Sequence, residues 1–161
     1  MYAQNTTWYD HSLMSDFALK PIKTNAEWQA CHRMRKEDLF ARYAPHIVYD
    51  PHHESVTDPH CKHYAFYHGK HLVGTAMTQH LTEEKIALRL IAIEPEHRNQ
   101  GYGAVMLEML EQKAKAAKYR IALMHAALPA VDFYRRHGYS EMDFYEEGID
   151  YSLHVDLGKY L

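Results

Sequence analysis

The sequence predicts a single domain of the α/β class, in which strands and helices share one core. Three patterns lead to this prediction: strand-like alternation of apolar residues, one long amphipathic stretch at 101–118, and before it a run typical of a strand followed by a polar loop. With 161 residues, 47% of them apolar and 24% charged, the chain suits one globular domain over 1–161. Residues 1–15 are predicted to form a flexible N-terminal arm.

The predicted elements total seven strands and three helices. In chain order they are a strand at 17–22, a helix at 26–40, a hairpin of strands at 62–68 and 71–80, a strand at 86–93, a helix at 101–118, a strand at 120–125, a helix that begins near Pro129 and ends at Gly138, and strands at 140–145 and 149–155.

Local chemistry supports each element in turn. Thr24 or Asn25 is typical of the N-cap of the first helix, and Gly69-Lys70 is typical of a hairpin turn. In the long helix, Met106 and Leu110 share one apolar face with further small and apolar residues. Glu111 and Lys115 are predicted to form an ion pair on its outer face.

Charge and composition limit the kinds of partner that the protein is expected to bind. The net charge is −3 with histidine neutral, so the chain lacks the basic surface that nucleic-acid binding needs. No apolar run approaches the ~20 residues that span a bilayer, and no charged-then-apolar leader precedes the domain. Two cysteines far apart are expected to be reduced thiols. We therefore expect a cytoplasmic protein without nucleic-acid or membrane partners.

The loop before the long helix is predicted to bind an anion. The first N–H groups of a helix have no partner inside it and carry the positive end of its dipole. Gly101 and Gly103 lack the Cβ atoms that would hold phosphate oxygens away, and Arg98 adds a full charge. Neither the third glycine of a dinucleotide-binding loop nor the Gly-Lys-Ser/Thr ending of a P-loop is present. A phosphate-bearing ligand of another kind is therefore expected.

The six residues from Arg98 to Gly103 resemble the acetyl-coenzyme A loop of the GCN5-related N-acetyltransferase (GNAT) family, which reads Arg or Gln, two residues, Gly, any residue, then Gly or Ala. Phe133-Tyr134, followed after three residues by Gly138-Tyr139, is similar to the second hallmark of the family. The two motifs have the order and separation that the family shows. The resemblance spans roughly 65–155.

The resemblance implies the GNAT fold, a central mixed and mostly antiparallel sheet of about seven strands flanked by about four helices. It also implies acetyl-coenzyme A (acetyl-CoA) as cosubstrate and a small-molecule amine as acceptor, and it leaves a homodimer open. The residues implied to bind the cofactor are Ile91, Ala92, Ile93, Arg98, Asn99, Gln100, Gly101, Tyr102, Gly103, Ala104, Phe133, Tyr134 and Arg136.

The resemblance also implies catalytic roles. Tyr134 occupies the position where the family usually has a general acid that protonates the departing thiolate; the alternative is a core aromatic. The Glu that often serves as base corresponds to Ala87 here, and the Asn or Gln seven residues before the Tyr corresponds to Ala127. Arg89, on the same strand face as Ala87, could bind a carboxylate of the acceptor.

The identity of the base stays open. Residues 144–151 resemble the ending of a GNAT subgroup that presents a histidine to the active site, and Tyr151 stands at that position. His154, three residues further on a predicted strand, should face the opposite side. The base could be Tyr151, acting through water, a histidine of the 52–63 segment, or no residue at all.

The 42–61 segment is predicted to be a solvated loop beside the acceptor site, because its prolines break regular structure. Its potential metal ligands are Asp50, His52, His53, Glu54, Asp58, His60 and Cys61, with His63 just beyond. Their spacing matches no established metal motif, so no metal is expected.

Three functions follow, in order of preference. The first is an N-acetyltransferase that transfers acetyl from acetyl-CoA to a primary amine by direct attack in a ternary complex. The second is a domain that binds or senses acyl-CoA without turning it over, which the missing Glu suggests. The third is a histidine-rich metal-binding protein.

Overall fold

The computed structural model describes residues 14–161, so the predicted N-terminal arm at 1–15 lies almost entirely outside the described residues. The strands are β1 (Phe17–Pro21), β2 (Cys61–His68), β3 (His71–His80), β4 (Lys85–Ile93), β5 (Ile121–Ala127), β6 (Ser140–Glu141) and β7 (His154–Tyr160). The α-helices are α1 (Asn25–Met34), α2 (Ala41–Tyr43), α3 (Tyr102–Ala116) and α4 (Val131–Arg136), and a π-helical segment (Arg35–Phe40) joins α1 to α2. Single 3₁₀ turns lie at Glu54–Val56, Pro95–His97 and Leu128–Ala130.

The strands form one seven-stranded sheet in the order β1-β2-β3-β4-β5-β7-β6. Neighbouring strands are antiparallel except for β4 and β5, which are parallel. The predicted fold class, a mixed α/β domain with a mostly antiparallel sheet of seven strands, is therefore confirmed.

The first helical stretch runs from Asn25 to Tyr43 and begins with a capping box. Thr24 Oγ1 accepts from the Glu27 N–H at 3.1 Å, while the Glu27 carboxylate accepts from the Thr24 N–H at 3.0 Å. These bonds satisfy N–H groups that have no partner within the helix. The predicted N-cap and the helix at 26–40 are both confirmed, with the last turns in π-helical geometry.

The long helix α3 packs on the sheet through the predicted face, since Met106 and Leu110 are fully buried in the main core. The prediction for Glu111 was wrong. Its carboxylate is buried and lies 2.9 Å from Lys159 Nζ of β7, because that strand passes beside the helix. No helix within residues 14–161 is long and apolar enough to cross a bilayer.

The bounds predicted for the last two strands were wrong. β6 ends at Glu141, and residues 147–148 and 151–153 form turns before β7 begins at His154. Gly148 has a φ of 87°, a left-handed conformation that interrupts a strand. Asp150 Oδ1 then accepts from the Ser152 N–H at 2.9 Å, and this side chain to backbone bond replaces a sheet bond.

The central strand β4 contains a β-bulge near the position where the sheet opens. Leu90 has a φ of 52°, and the register with β3 shifts between Thr75 and Met77. On its other side, β4 pairs with β5 only from Lys85 to Ala87. The two parallel strands therefore separate beyond Ala87, and the sheet opens there.

Candidate active site

A cleft of about 890 Å³ lies where β4 and β5 separate. Its lining comes from the second half of β4, the end of β5, the start of α3, and α4. Two further segments contribute lining residues: 38–47, which contains the end of the π-helical segment and α2, and 148–154. The cleft therefore joins the loop predicted to bind an anion to the divergent strands.

The loop at the start of α3 has the geometry of an anion site. Asn99 and Gly101 adopt left-handed φ angles of 58° and 84°, which bring the chain into the helix. Val105 is the first residue whose N–H bonds to a helical carbonyl, that of Gly101 at 3.2 Å. A Cβ added at Gly101 would meet no atom within 4 Å, so the space beside the loop is open. The N–H groups before Val105 are thus positioned to bind phosphate oxygens.

Arg98 is partly used within the protein. Its Nε donates to the Ile93 carbonyl at 3.0 Å, and its Nη2 lies 3.2 Å from Asp38 Oδ1. Asp38 belongs to the π-helical segment, and its carboxylate is largely buried. Arg98 therefore fixes the loop against both β4 and the first helical stretch, in addition to supplying charge at the rim of the cleft.

One edge of β4 is open to the cleft. β3 pairs with the opposite edge, while β5 pairs no further than Ala87. Ile91, Ala92 and Ile93 all line the cleft. Backbone groups along this edge have no strand partner in the described chain, so an extended ligand could pair there as an added strand.

Tyr134 of α4 is buried and lines the cleft. Burial raises the pKa of its phenol well above the ordinary value. Its ring contacts the rings of Phe133 and Tyr139 edge-on, and within residues 14–161 no group hydrogen-bonds to its hydroxyl. The hydroxyl is consequently protonated at neutral pH and free to donate a proton.

Arg89 lies two residues beyond the last β4–β5 pair and lines the cleft. Its Nε donates to Gln79 Oε1 at 2.8 Å, its Nη2 donates to Glu146 Oε1 at 2.6 Å, and it stacks over Phe144. These contacts hold the guanidinium in one orientation. No residue in the described chain accepts from its Nη1.

A chain of hydrogen-bonded side chains continues from Arg89 through Glu146. His125 Nε2 lies 2.6 Å from Glu146 Oε1, and its Nδ1 lies 2.7 Å from Asp156 Oδ1. Burial alone would raise the pKa of Glu146, but hydrogen bonds from His125 and Arg89 outweigh it, so the pKa lies below its ordinary value.

The predicted site residues divide into two groups. Those that line the cleft are Arg89, Ile91, Ala92, Ile93, Arg98, Asn99, Gly101, Gly103, Ala104, Phe133, Tyr134 and Arg136. Gln100, Tyr102 and Tyr151 do not line it. The Tyr102 hydroxyl lies 3.0 Å from His68 Nδ1, and the Gln100 amide donates to the Glu96 carbonyl.

Tyr151 lies in a turn and lines a separate cavity of about 450 Å³. Its hydroxyl accepts from the Glu146 N–H at 2.9 Å and donates to the Phe144 carbonyl. His154, at the start of β7, lines both that cavity and the cleft. The turn at 151–153 thus reverses the expectation that Tyr151 would be the residue nearer the cleft.

The histidines of the 52–63 segment do not converge. His63 is buried with its Nδ1 3.0 Å from Arg35 Nη1 and its Nε2 2.7 Å from the Ser55 carbonyl oxygen. Among residues 14–161, no three His, Cys, Asp or Glu side chains are grouped so that they could hold a metal ion.

Comparison with known families adds a decisive observation to this geometry. The family model described as the acetyltransferase (GNAT) family matches residues 28–139, more than half of the chain. The chain belongs to the GNAT acetyltransferase family. The predicted resemblance is confirmed, and membership supports acyl transfer as the general activity.

Solved structures share this GNAT fold at low sequence identity. Spermidine N-acetyltransferase from Vibrio cholerae, in complex with CoA and spermine, has a TM-score of 0.72 and 16% identity, covering 91% of this chain and 96% of that chain. A GNAT family acetyltransferase from Elizabethkingia anophelis with acetyl-CoA bound has a TM-score of 0.68 and 17% identity, covering 91% and 99%. An acetyltransferase from Streptococcus agalactiae has a TM-score of 0.71 and 12% identity, covering 91% and 99%.

Sequence reasoning missed two residues of this GNAT domain: His125, which lines the cleft, and Glu146, which contacts Arg89 from outside the lining. His125 is the one polar residue in the apolar run of β5, and a polar residue in a buried strand is a usable signal. Glu146 lies in an irregular segment with no local signal. Its contact with Arg89 joins residues 57 positions apart, so only the folded chain reveals it.

Proposed function

We propose that this GNAT protein transfers an acetyl group from acetyl-CoA to a primary amine of a small-molecule acceptor, by direct attack within a ternary complex. The observation that carries the proposal is that one continuous cleft contains three features. These are the free N–H groups of the 99–104 loop, the unpaired edge of β4 and the Tyr134 hydroxyl.

The residues present fit acetyl-CoA. The open space at Gly101 and the N–H groups before Val105 would hold the pyrophosphate, with Arg98 and Arg136 at the rim. Ile91 to Ile93 would pair with the extended pantetheine arm along the free strand edge. When bound, acetyl-CoA supplies an acetyl thioester, whose C–S bond breaks as the C–N bond to the acceptor forms.

Tyr134 would serve as the general acid. Its phenol stays protonated at neutral pH because burial disfavours the phenolate, and its hydroxyl has no competing partner in the described chain. It would donate its proton to the departing sulfur and recover one from the attacking amine through water. Tyr151, whose hydroxyl is bonded to the backbone outside the cleft, is not part of this mechanism.

A small acceptor suits the shape of the cleft. The 38–47 segment and the 148–154 segment both contribute to its lining, so the acceptor end is a pocket bounded by these two segments. Spermidine N-acetyltransferase, a structural neighbour, was solved with spermine, which is a small amine. These observations support a small amine over a protein substrate.

The first experiment is a thermal-shift titration with acetyl-CoA, with ATP and zinc as controls. A ligand at 100 times its Kd stabilises the folded state by about 2.7 kcal/mol, which a melting curve resolves. We expect a shift with acetyl-CoA and not with ATP. A shift with zinc alone would contradict the proposal and favour the metal-binding alternative.

The second experiment measures thiol release from acetyl-CoA with a panel of primary amines that includes amino acids, spermidine and spermine. Release with any of them supports an enzyme. Binding of acetyl-CoA without release from any amine would instead favour the acyl-CoA sensing alternative, which the Ala at position 87 motivates.

A further inference from the structure

The charges of the cleft lining differ from what a polyamine would need. Its arginines are Arg42, Arg89, Arg98 and Arg136, whereas its carboxylates are Asp38 and Asp150. Asp38 already pairs with Arg98. Asp150 Oδ1 accepts from the Ser152 N–H at 2.9 Å and from the Ser152 hydroxyl at 2.5 Å, and these hydrogen bonds lower the pKa of Asp150. An acceptor with several ammonium groups would find few carboxylates available.

Arg89 is the cation best placed to meet an acceptor. It lies two residues beyond the last β4–β5 pair, at the apex of the cleft, and its side chain is 19% exposed. The loop expected to bind the pyrophosphate follows the C-terminal end of β4 at Ile93. Arg89 lies in the middle of that strand, so its side chain is too far from the loop to bind the pyrophosphate.

The hydrogen bonds of Arg89 leave part of its donor capacity unused. A guanidinium has five N–H donors, and one goes to Gln79 and one to Glu146. No described residue accepts from Nη1. Since the guanidinium is held by Gln79, Glu146 and the Phe144 ring, the remaining donors are oriented without further loss of side-chain entropy.

We propose that the acceptor is an amino acid whose carboxylate binds Arg89 at the apex of the cleft, with its amine directed toward Ile91. This inference rests on the proposed function and names its substrate class. Arg89 and Ile91 are two positions apart in the chain, which corresponds to at most about 7 Å. A carboxylate only a few bonds from the amine matches that separation.

The proposal predicts that replacing Glu146 has the opposite effect to replacing Arg89 on the preference for carboxylate-bearing acceptors. The Oε1 of Glu146 contacts Arg89 from outside the cleft lining and competes with an acceptor carboxylate for the same cation. Replacing Glu146 with Gln would remove that competing charge while keeping an oxygen that can accept. The variant should therefore favour carboxylate-bearing acceptors more strongly than the wild type does.

The test compares β-alanine with β-alanine amide, and glycine with glycine amide, because each pair differs only in the carboxylate. In the wild type we expect kcat/KM for the acid to exceed that for the amide by about 10- to 100-fold, the range for a hydrogen bond to a charged group. In Arg89→Gln the ratio should fall toward one, and in Glu146→Gln it should rise. Arg120→Gln, which removes an exposed arginine paired with Glu84, is the control and should keep the wild-type ratio.

A binding measurement separates this inference from the proposed function. Thermal shifts by β-alanine in the presence of CoA need no turnover, and they should disappear in Arg89→Gln while the shift by CoA alone remains. Loss of the CoA shift in wild type would instead contradict the proposed function. Equal use of acid and amide, an unchanged ratio in Arg89→Gln, or a preference for spermidine over both amino acids would overturn the inference.

Discussion

The guanidinium of Arg98 lies 3.2 Å from the carboxylate of Asp38, and this contact ties the loop before α3 to the first helical stretch. The second oxygen of Asp38 is buried and has no hydrogen-bond partner in the described chain. The ion pair with Arg98 therefore offsets most of the cost of burying the Asp38 carboxylate. The loop that is expected to bind the cofactor is also a structural support for the opposite wall of the cleft.

Arg98→Gln should lower both stability and cofactor binding. The variant leaves the buried Asp38 carboxylate unpaired, at a cost of about 1–3 kcal/mol in the free energy of unfolding. Arg136→Gln is the matched comparison, since Arg136 is exposed on α4 and lines the same cleft. It should weaken acetyl-CoA binding by about 3- to 10-fold without changing the melting temperature. Equal melting temperatures in both variants would show that the Arg98–Asp38 contact contributes little.

Gly103→Val should abolish acetyl-CoA binding with little effect on folding. A Cβ at this position would lie 3.5 Å from the Phe133 ring, an ordinary contact, so the backbone can accept a side chain. The branched carbons would then occupy space beside the free N–H groups, and we expect affinity to fall by at least about 100-fold. Calorimetric titration measures the affinity. Ala116→Val, at the exposed end of α3, is the control for a branched residue in the same helix.

Tyr134→Phe should slow turnover without weakening cofactor binding. The hydroxyl has no partner in the described chain, so its removal should leave the melting temperature unchanged, while loss of a general acid costs about 10²-fold in kcat. The neighbouring Tyr139 provides the contrast, because its hydroxyl donates to the buried Glu111 at 3.0 Å. Tyr139→Phe should lower the free energy of unfolding by about 1.5–3 kcal/mol and leave kcat unchanged. Unchanged kcat in Tyr134→Phe would remove Tyr134 from the mechanism.

Stability at low pH should depend on Glu27. Hydrogen bonds from the Thr24 and Lys23 backbones and from the Tyr67 hydroxyl lower the pKa of Glu27 from 4.5 to about 2. Because the folded state holds the proton less tightly than the unfolded state, the contribution is complete above pH 4.5 and is lost as the pH falls toward 2.

Urea unfolding between pH 6 and pH 2 tests this prediction. The difference in stability between wild type and Glu27→Gln should be largest near pH 6 and should shrink across that window. A difference that stays constant with pH would mean that the Glu27 carboxylate keeps its ordinary pKa in the folded protein.

Predictions succeeded where the determining interactions are local. The N-cap at Thr24 and the turn into α3 at Gly101 are formed by residues within a few positions of each other, so their residue types identify them. Predictions failed where a distant strand decides the outcome. Glu111 was expected to face outward, but Lys159, 48 residues away, pairs with it. The predicted start of the last strand at residue 149 was wrong, because the Asp150 side chain bonds to the Ser152 backbone there in place of sheet pairing.

The sequence by itself determined the fold class and the loop that precedes α3. Their signals are periodicity, glycine positions and helix-end chemistry, which act within a few residues. Only the tertiary structure decided which side chains surround Arg89. Arg89, His125 and Glu146 come from two strands and an irregular segment, and they converge because β4 and β5 separate beyond Ala87. Contacts between residues so distant in the chain leave no local pattern, so their chemistry emerges only when the sheet forms.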